Sequence, residues 1–130
     1  MSDNGQSAMA SSSFETGKMD EAWTAGWITG DLDADTPAVL RKRFSAKAGR
    51  DAKLYICGLG VYEVYLNGNK VGEEYLAPGY HSYDFHLQVH TYDVSAYLAD
   101  GENEIQIWLG DGWFRGRLGF DGGFTNLYGD

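Results

Sequence analysis

The sequence has one cysteine and two prolines in 130 residues. A lone thiol cannot close an intramolecular disulfide, so the fold must stand on packing alone. Cys57 sits inside a hydrophobic run, where a buried, inert thiol is the expectation. No window approaches the ~20 apolar residues that cross a bilayer, so a membrane partner is not expected. The N-terminus, MSDNGQSAMASSS, lacks the basic start and apolar stretch of a secretory leader. The chain therefore reads as soluble, with cytoplasmic residence and export after leader removal both open. Basic side chains are also scarce: 10 Lys and Arg face 19 Asp and Glu, a net charge of −9. That is the wrong sign for neutralising phosphates, which excludes nucleic acid as the expected partner. The acidic excess keeps binding of a hard cation such as calcium open, beside the plainer reading of a well-solvated surface.

Glycine and aromatics are abundant: 18 Gly, 4 Trp, 9 Tyr and 6 Phe, with 43% hydrophobic residues overall. This composition favours β-structure with tight turns over a helical bundle, and the length suits one domain with a real core. The organising stretch is residues 53–72, KLYICGLGVYEVYLNGNKVG. Two runs rich in Tyr, Val, Ile and Leu flank Gly58 and Gly60, and the second ends on Asn67-Gly68. Both residues tolerate the positive φ that a two-residue hairpin requires. Alternation across 61–66 predicts Tyr62, Val64 and Leu66 on one face and Val61, Glu63 and Tyr65 on the other.

Residues 1–20 are mostly small and polar and read as a flexible tail, which leaves 21–130 as the folded domain. Trp23 and Trp27 predict core packing, across a sheet edge or against a neighbouring domain, with sugar stacking as the alternative. Asp31, Asp33 and Asp35 imitate the start of a calcium loop, but the glycine, distal glutamate and flanking helices of that motif are missing, so a solvated turn is expected. Residues 38–46 read as a strand with an outward basic cluster, and Pro78-Gly79 as a turn. Residues 85–92 alternate, predicting Phe85, Leu87 and Val89 on one face and His86, Gln88 and His90 on the other. His86 and His90 would stand about 13 Å apart along such a strand, too far to share a metal. One helical turn with Asp93 as N-cap is predicted over 93–99, a turn over 100–103, and a strand over 104–109 with Ile105, Ile107 and Leu109 inward. From Gly110 onward seven glycines fall in 21 residues, predicting loops that carry aromatic and charged side chains.

The ordered series WI (27–28), LRKRF (40–44), the 53–72 stretch, LAPGYHSY (76–83), TYDVSAYL (91–98) and LGDGWFRGRLGF (109–120) resembles the N-terminal β-sandwich region of bacterial α-L-rhamnosidases, family 78 glycoside hydrolases. The resemblance spans roughly 22–130. It implies an all-β, antiparallel, jelly-roll-like sandwich similar to galactose-binding domains, placed before a catalytic domain. Related versions form calcium-using rhamnose-binding modules. The family's sandwich continues with further strands past the segment matching 126–130, so an incomplete sandwich with an exposed, self-associating edge is one expectation. The family's catalytic carboxylates lie in a downstream helical barrel outside this sequence.

Three functions follow for comparison. A sugar-binding module would use Asp111, Trp113, Arg115, Arg117, Asp121 and Asn126, an aromatic face for ring C–H groups and polar groups for hydroxyls. Alternatively, Trp113 and Phe114 plug one end of the sandwich while the arginines pair with Asp111 and Asp121. A glycosidase would need two carboxylates about 5–9.5 Å apart, for which Asp111, Asp121 and Asp130 are on offer. A scaffold would dock on the catalytic barrel or form homo-oligomers through Trp23 and Trp27. The reading favoured is a non-catalytic carbohydrate-binding or accessory module for L-rhamnose or a related sugar.

Overall fold

The computed structural model describes residues 9–31, 36–117, 123 and 128. Its strands are β1 (Ala38–Ala46), β2 (Lys53–Ile56), β3 (Val61–Leu66), β4 (Asn69–Val71), β5 (His90–Asp93) and β6 (Gly101–Gly110), with one short helix, α1 (Gly112–Arg115). They form a four-stranded sheet in the order β1-β6-β3-β4 and a two-stranded sheet β2-β5. Every pairing is antiparallel. The fold is an all-β sandwich.

The β3-β4 turn forms as its sequence dictates. Asn67 and Gly68 both take positive φ, 51° and 79°, so the chain reverses in two residues with the twist that a hairpin needs. Tyr62, Val64 and Leu66 are buried at 3%, 1% and 2% exposure while Val61, Glu63 and Tyr65 stay half-exposed. They meet Ile56 and Val94 from the smaller sheet's side, together with Val71 and Ala77, and partly buried Phe44, Leu54, Tyr92, Ile105, Ile107 and Leu109 close the core. The outer face is laced by charge. Lys70 pairs with Glu63 at 3.1 Å, and Arg43 with Glu104 at 3.3 Å.

The two runs flanking Gly58 and Gly60 do not pair with each other: β2 crosses to the second sheet, where it meets β5. The crossing is tight because Gly60 has φ 132° and a Cβ there would collide with the Gly110 carbonyl. Only glycine fits.

Four expectations are corrected. Residues 85–89 are not a strand; β5 begins at His90, which pairs with Ile56, the last residue of β2. The alternation is real, but β2 supplies no residue beyond Ile56 to pair with, and Phe85 ends 90% exposed. Trp23 and Trp27 are not core residues, at 52% and 65% exposure; Trp23 lies edge-on to Tyr55, with ring centroids 5.8 Å apart. The strand expected from Glu104 starts at Gly101, because Arg43, Phe44, Ser45 and Ala46 of β1 extend the pairing to Glu104, Asn103, Glu102 and Gly101. Asp93 belongs to β5 and is not an N-cap, although its Oδ1 accepts the Ser95 N–H at 3.0 Å, ahead of a 3-10 turn over Ser95–Tyr97.

Cys57 is half-buried and free, its thiol pushed up by burial and so held protonated. Glu15 reaches Lys53 at 3.1 Å, and the Lys18 ammonium sits over Trp23 and Tyr55. Among the described residues no helix is long and apolar enough to cross a membrane.

Candidate functional site

Four of the predicted site residues, Asp111, Trp113, Arg115 and Arg117, follow directly where β6 ends. The chain leaves the sheet at Gly110, and Asp111 begins a single helical turn, its carbonyl accepting the N–H groups of Phe114 and Arg115 at 3.1 and 3.2 Å. Gly112, with φ 52°, lies so close to Val61 that a Cβ would come within 2.9 Å of the Val61 backbone nitrogen. The helix is thereby seated directly on the start of β3. This seat fixes where Trp113, Phe114 and Arg115 project.

Arg115 Nε stands 3.6 Å from Asp111 Oδ1, an ion pair across one turn. Arg117 is exposed at the end of the described segment. Asp121 and Asn126 lie outside the described residues, as do Asp33, Asp35 and Asp130 of the calcium-loop and glycosidase readings.

Trp113 is half-buried and meets Tyr80 at right angles, centroids 6.3 Å apart and planes at 81°. Beneath this corner the rings pack tilted against one another in series. Phe114 packs on Tyr83 at 5.2 Å, Tyr83 on Tyr128 at 5.0 Å, and His81 on Tyr83 at 4.2 Å. The Tyr128 N–H donates to the Phe114 carbonyl at 3.3 Å, and the hydroxyls of Tyr80 and Tyr128 are 3.0 Å apart. Tyr80, His81, Tyr83 and Tyr128 were missed as site residues by sequence reasoning. The signal available was the run YHSY directly after Pro78-Gly79, dense in rings where a plain turn needs none.

The floor and the rim of this cluster differ chemically. His81 is 6% exposed, and among the described residues neither of its ring nitrogens has a hydrogen-bond partner; the Tyr83 hydroxyl is likewise buried and unbonded among them. Burial, then the neighbouring charge of His86, lowers the His81 pKa below its ordinary value, so the ring stays neutral. Burial raises the Tyr83 phenol, and the bond to Tyr80 raises that of Tyr128. All three stay uncharged at neutral pH. The rim, by contrast, offers Tyr80 at 56% exposure, the Tyr80-Tyr128 hydroxyl pair, Trp113 and the Asp111-Arg115 ion pair. Such a surface can stack an apolar ring face and hydrogen-bond polar groups beside it.

One other feature competes. A cleft of 270 Å³ lies among Pro37, Val39, Val61, Leu76 and Trp108, with Glu63 as its one charged lining residue; it lacks converging polar groups. No three His, Cys, Asp or Glu side chains converge into a metal site among the described residues.

Residues 47–130 match a family model described as the alpha-L-rhamnosidase N-terminal domain. The chain is 36% identical over 114 residues to an alpha-L-rhamnosidase of Streptomyces avermitilis, covering 85% of this chain and 11% of that protein. It is 33% identical over 120 residues to one from Formosa agariphila, covering 82% of this chain and 13% of that protein. Among solved structures it resembles the native alpha-L-rhamnosidase of Aspergillus terreus, with TM-score 0.70 and 43% identity over 77% of this chain and 12% of that one. It also resembles the Streptomyces avermitilis enzyme complexed with L-rhamnose, with TM-score 0.65 and 38% identity over 70% of this chain and 9% of that one. The chain thus spans about an eighth or less of the length of these relatives.

Proposed function

Because the chain belongs to the alpha-L-rhamnosidase N-terminal domain family, we propose that it is a non-catalytic accessory module of an α-L-rhamnosidase chain that recognises a rhamnose-containing glycan at the α1 corner. The observation that carries this reading is the right-angled Trp113-Tyr80 pair standing beside the Asp111-Arg115 ion pair. A pyranose would place its C–H face against the indole and its hydroxyls toward the charged and phenolic groups. Calcium belongs to the proposal as a cation bridging sugar and protein.

The test is an amide proton-nitrogen correlation spectrum recorded with L-rhamnose titrated in, with and without calcium. Shifts confined to Gly110–Arg117, Tyr80 and Tyr128 support the reading, and shifts seen only with calcium support the bridge. Dispersed peaks that ignore the sugar overturn it.

A second reading, docking on the catalytic domain or self-association, is favoured by one observation. Trp23, Trp27 and Ile28 expose 52%, 65% and 68% of their surfaces within six residues. Such aromatic groups are typical anchors of interface centres. Trp23→Ala with Trp27→Ala should then abolish association, read by analytical ultracentrifugation, and leave sugar binding intact.

A further inference from the structure

We propose that the Tyr80-Tyr128 hydroxyl pair is the specificity element of the α1 corner and selects a ligand with two adjacent hydroxyl groups beside an apolar ring face. This rests on the sugar reading above and adds which groups choose the ligand. With the two phenolic oxygens 3.0 Å apart, one hydroxyl donates to the other. The donor has then spent its only proton and can only accept, whereas the acceptor retains a free O–H. The pair consequently presents one donor and one acceptor side by side. A vicinal diol presents the complementary set, an acceptor next to a donor. The four groups close into a ring of hydrogen bonds that polarise one another, which a lone hydroxyl cannot do.

The pair is also held in place before any ligand arrives. Tyr128 is pinned by its tilted ring contact with Tyr83 and by its backbone bond to Phe114, and Tyr80 by its edge contact with Trp113. Preorganised donors and acceptors lose little freedom on binding. Trp113 supplies the stacking surface on the adjoining wall. Stacking contributes affinity to any sugar with an exposed C–H face, so it cannot choose among them; the hydroxyl pair favours those whose adjacent hydroxyls stand beside that face.

Isothermal titration of L-rhamnose into the full chain, the single variants Tyr80→Phe, Tyr128→Phe and Trp113→Ala, and the remote control Tyr55→Phe decides the matter. Each phenylalanine variant keeps the stacked rings and removes one oxygen. Each should weaken binding about tenfold, the loss expected for one hydrogen bond, and the double variant should add little more because the pair acts as a unit. Trp113→Ala should abolish binding and Tyr55→Phe should not alter it. Binding lost in Trp113→Ala but unchanged in both phenylalanine variants overturns the hydroxyl pair and leaves the sugar reading standing. A wild-type chain that releases no heat with L-rhamnose, while its spectrum stays dispersed, overturns both. A second pair of titrants, methyl L-rhamnoside and its 3-deoxy form, which has no two adjacent hydroxyls, should differ by about the tenfold seen for Tyr80→Phe; equal affinity of wild type for the two overturns the diol.

Discussion

The side-chain amide of Asn67 donates to Oδ1 of Asn103 at 2.7 Å, tying the tip of the β3-β4 hairpin to the start of β6. Asn103 is 1% exposed and fully engaged: its Oδ1 also accepts the Ala99 N–H, and its Nδ2 donates to the Ala99 and Gly101 carbonyls. Asn67 adds a donation to the Tyr97 carbonyl and accepts the Glu104 N–H. Replacing Asn103 by Ala removes the partner of the Ala99 N–H, the Ala99 and Gly101 carbonyls and the Asn67 amide, so Asn103→Ala should cost about 1–3 kcal/mol. Urea unfolding followed by tryptophan fluorescence measures it; a loss under about 1 kcal/mol would show that water substitutes for the amide.

The core and the exposed aromatic differ in the same way. Leu66 is buried on β3 and Phe85 stands in solvent. Leu66→Ala should cost about 2–5 kcal/mol by lost transfer energy and a residual cavity, while Phe85→Ala should stay within about 0.5 kcal/mol. Equal losses at the two positions in thermal unfolding would contradict the burial pattern.

The seat of α1 depends on the glycine crossing. Gly60→Ala adds a methyl group aimed at the Gly110 carbonyl from a residue at φ 132°, so backbone at both places must move. The expected loss is about 2 kcal/mol or more, together with a changed near-ultraviolet dichroism from Trp113 and its ring neighbours. Gly68→Ala makes the comparison: Gly68 has positive φ but open space around it, so its cost should be smaller and the aromatic signal unchanged.

His81 sets an acid limit. Its folded pKa lies below the ordinary value of 6.5 because burial and His86 disfavour the imidazolium. Below pH 6.5 the unfolded chain therefore binds the proton first, and stability falls as the solution is acidified through that point. His81→Phe should flatten this portion of the stability profile. Asp93 acts lower down. Its carboxyl is held at about 2 by Ser95 and then Lys53, so the stability it contributes is present above about pH 4 and fades as pH drops toward 2. Asp93→Asn should remove only that lower portion, measured as urea midpoints across the pH range.

Much of the sandwich was legible from single residues and their neighbours. The β3 alternation, the Asn67-Gly68 turn and both limits of β1 needed no long-range information, because a strand face and a two-residue reversal are local properties. The errors came where a local pattern depends on a distant partner. Residues 85–89 have the alternation of a strand but no strand to pair with, and Trp23 and Trp27 have the side chains of a core but stand 52% and 65% exposed, Trp23 edge-on to Tyr55. Asn103 looked like a turn residue because asparagine favours turns; its four hydrogen bonds arise from groups that only the fold assembles. The α1 corner was half legible. GDGWFRGR marks an unusual loop, but the ring contacts of Tyr80 with Trp113 and of Tyr83 with Phe114 and Tyr128 join segments more than thirty residues apart.

The register between β1 and β6 carries a mechanical consequence. Ala38, the first residue of β1, lies opposite Leu109 near the end of β6, while Ala46 lies opposite Gly101. The two places where the chain enters β1 and leaves β6 are therefore at one end of the same ladder. Tension applied between them does not load the rungs together; it opens them in succession from Ala38 toward Ala46, as a zip is drawn. The β1 edge can be peeled at low force while β6 remains bonded to β3, so under load the sandwich yields first along the strand that bears Arg41, Lys42 and Arg43.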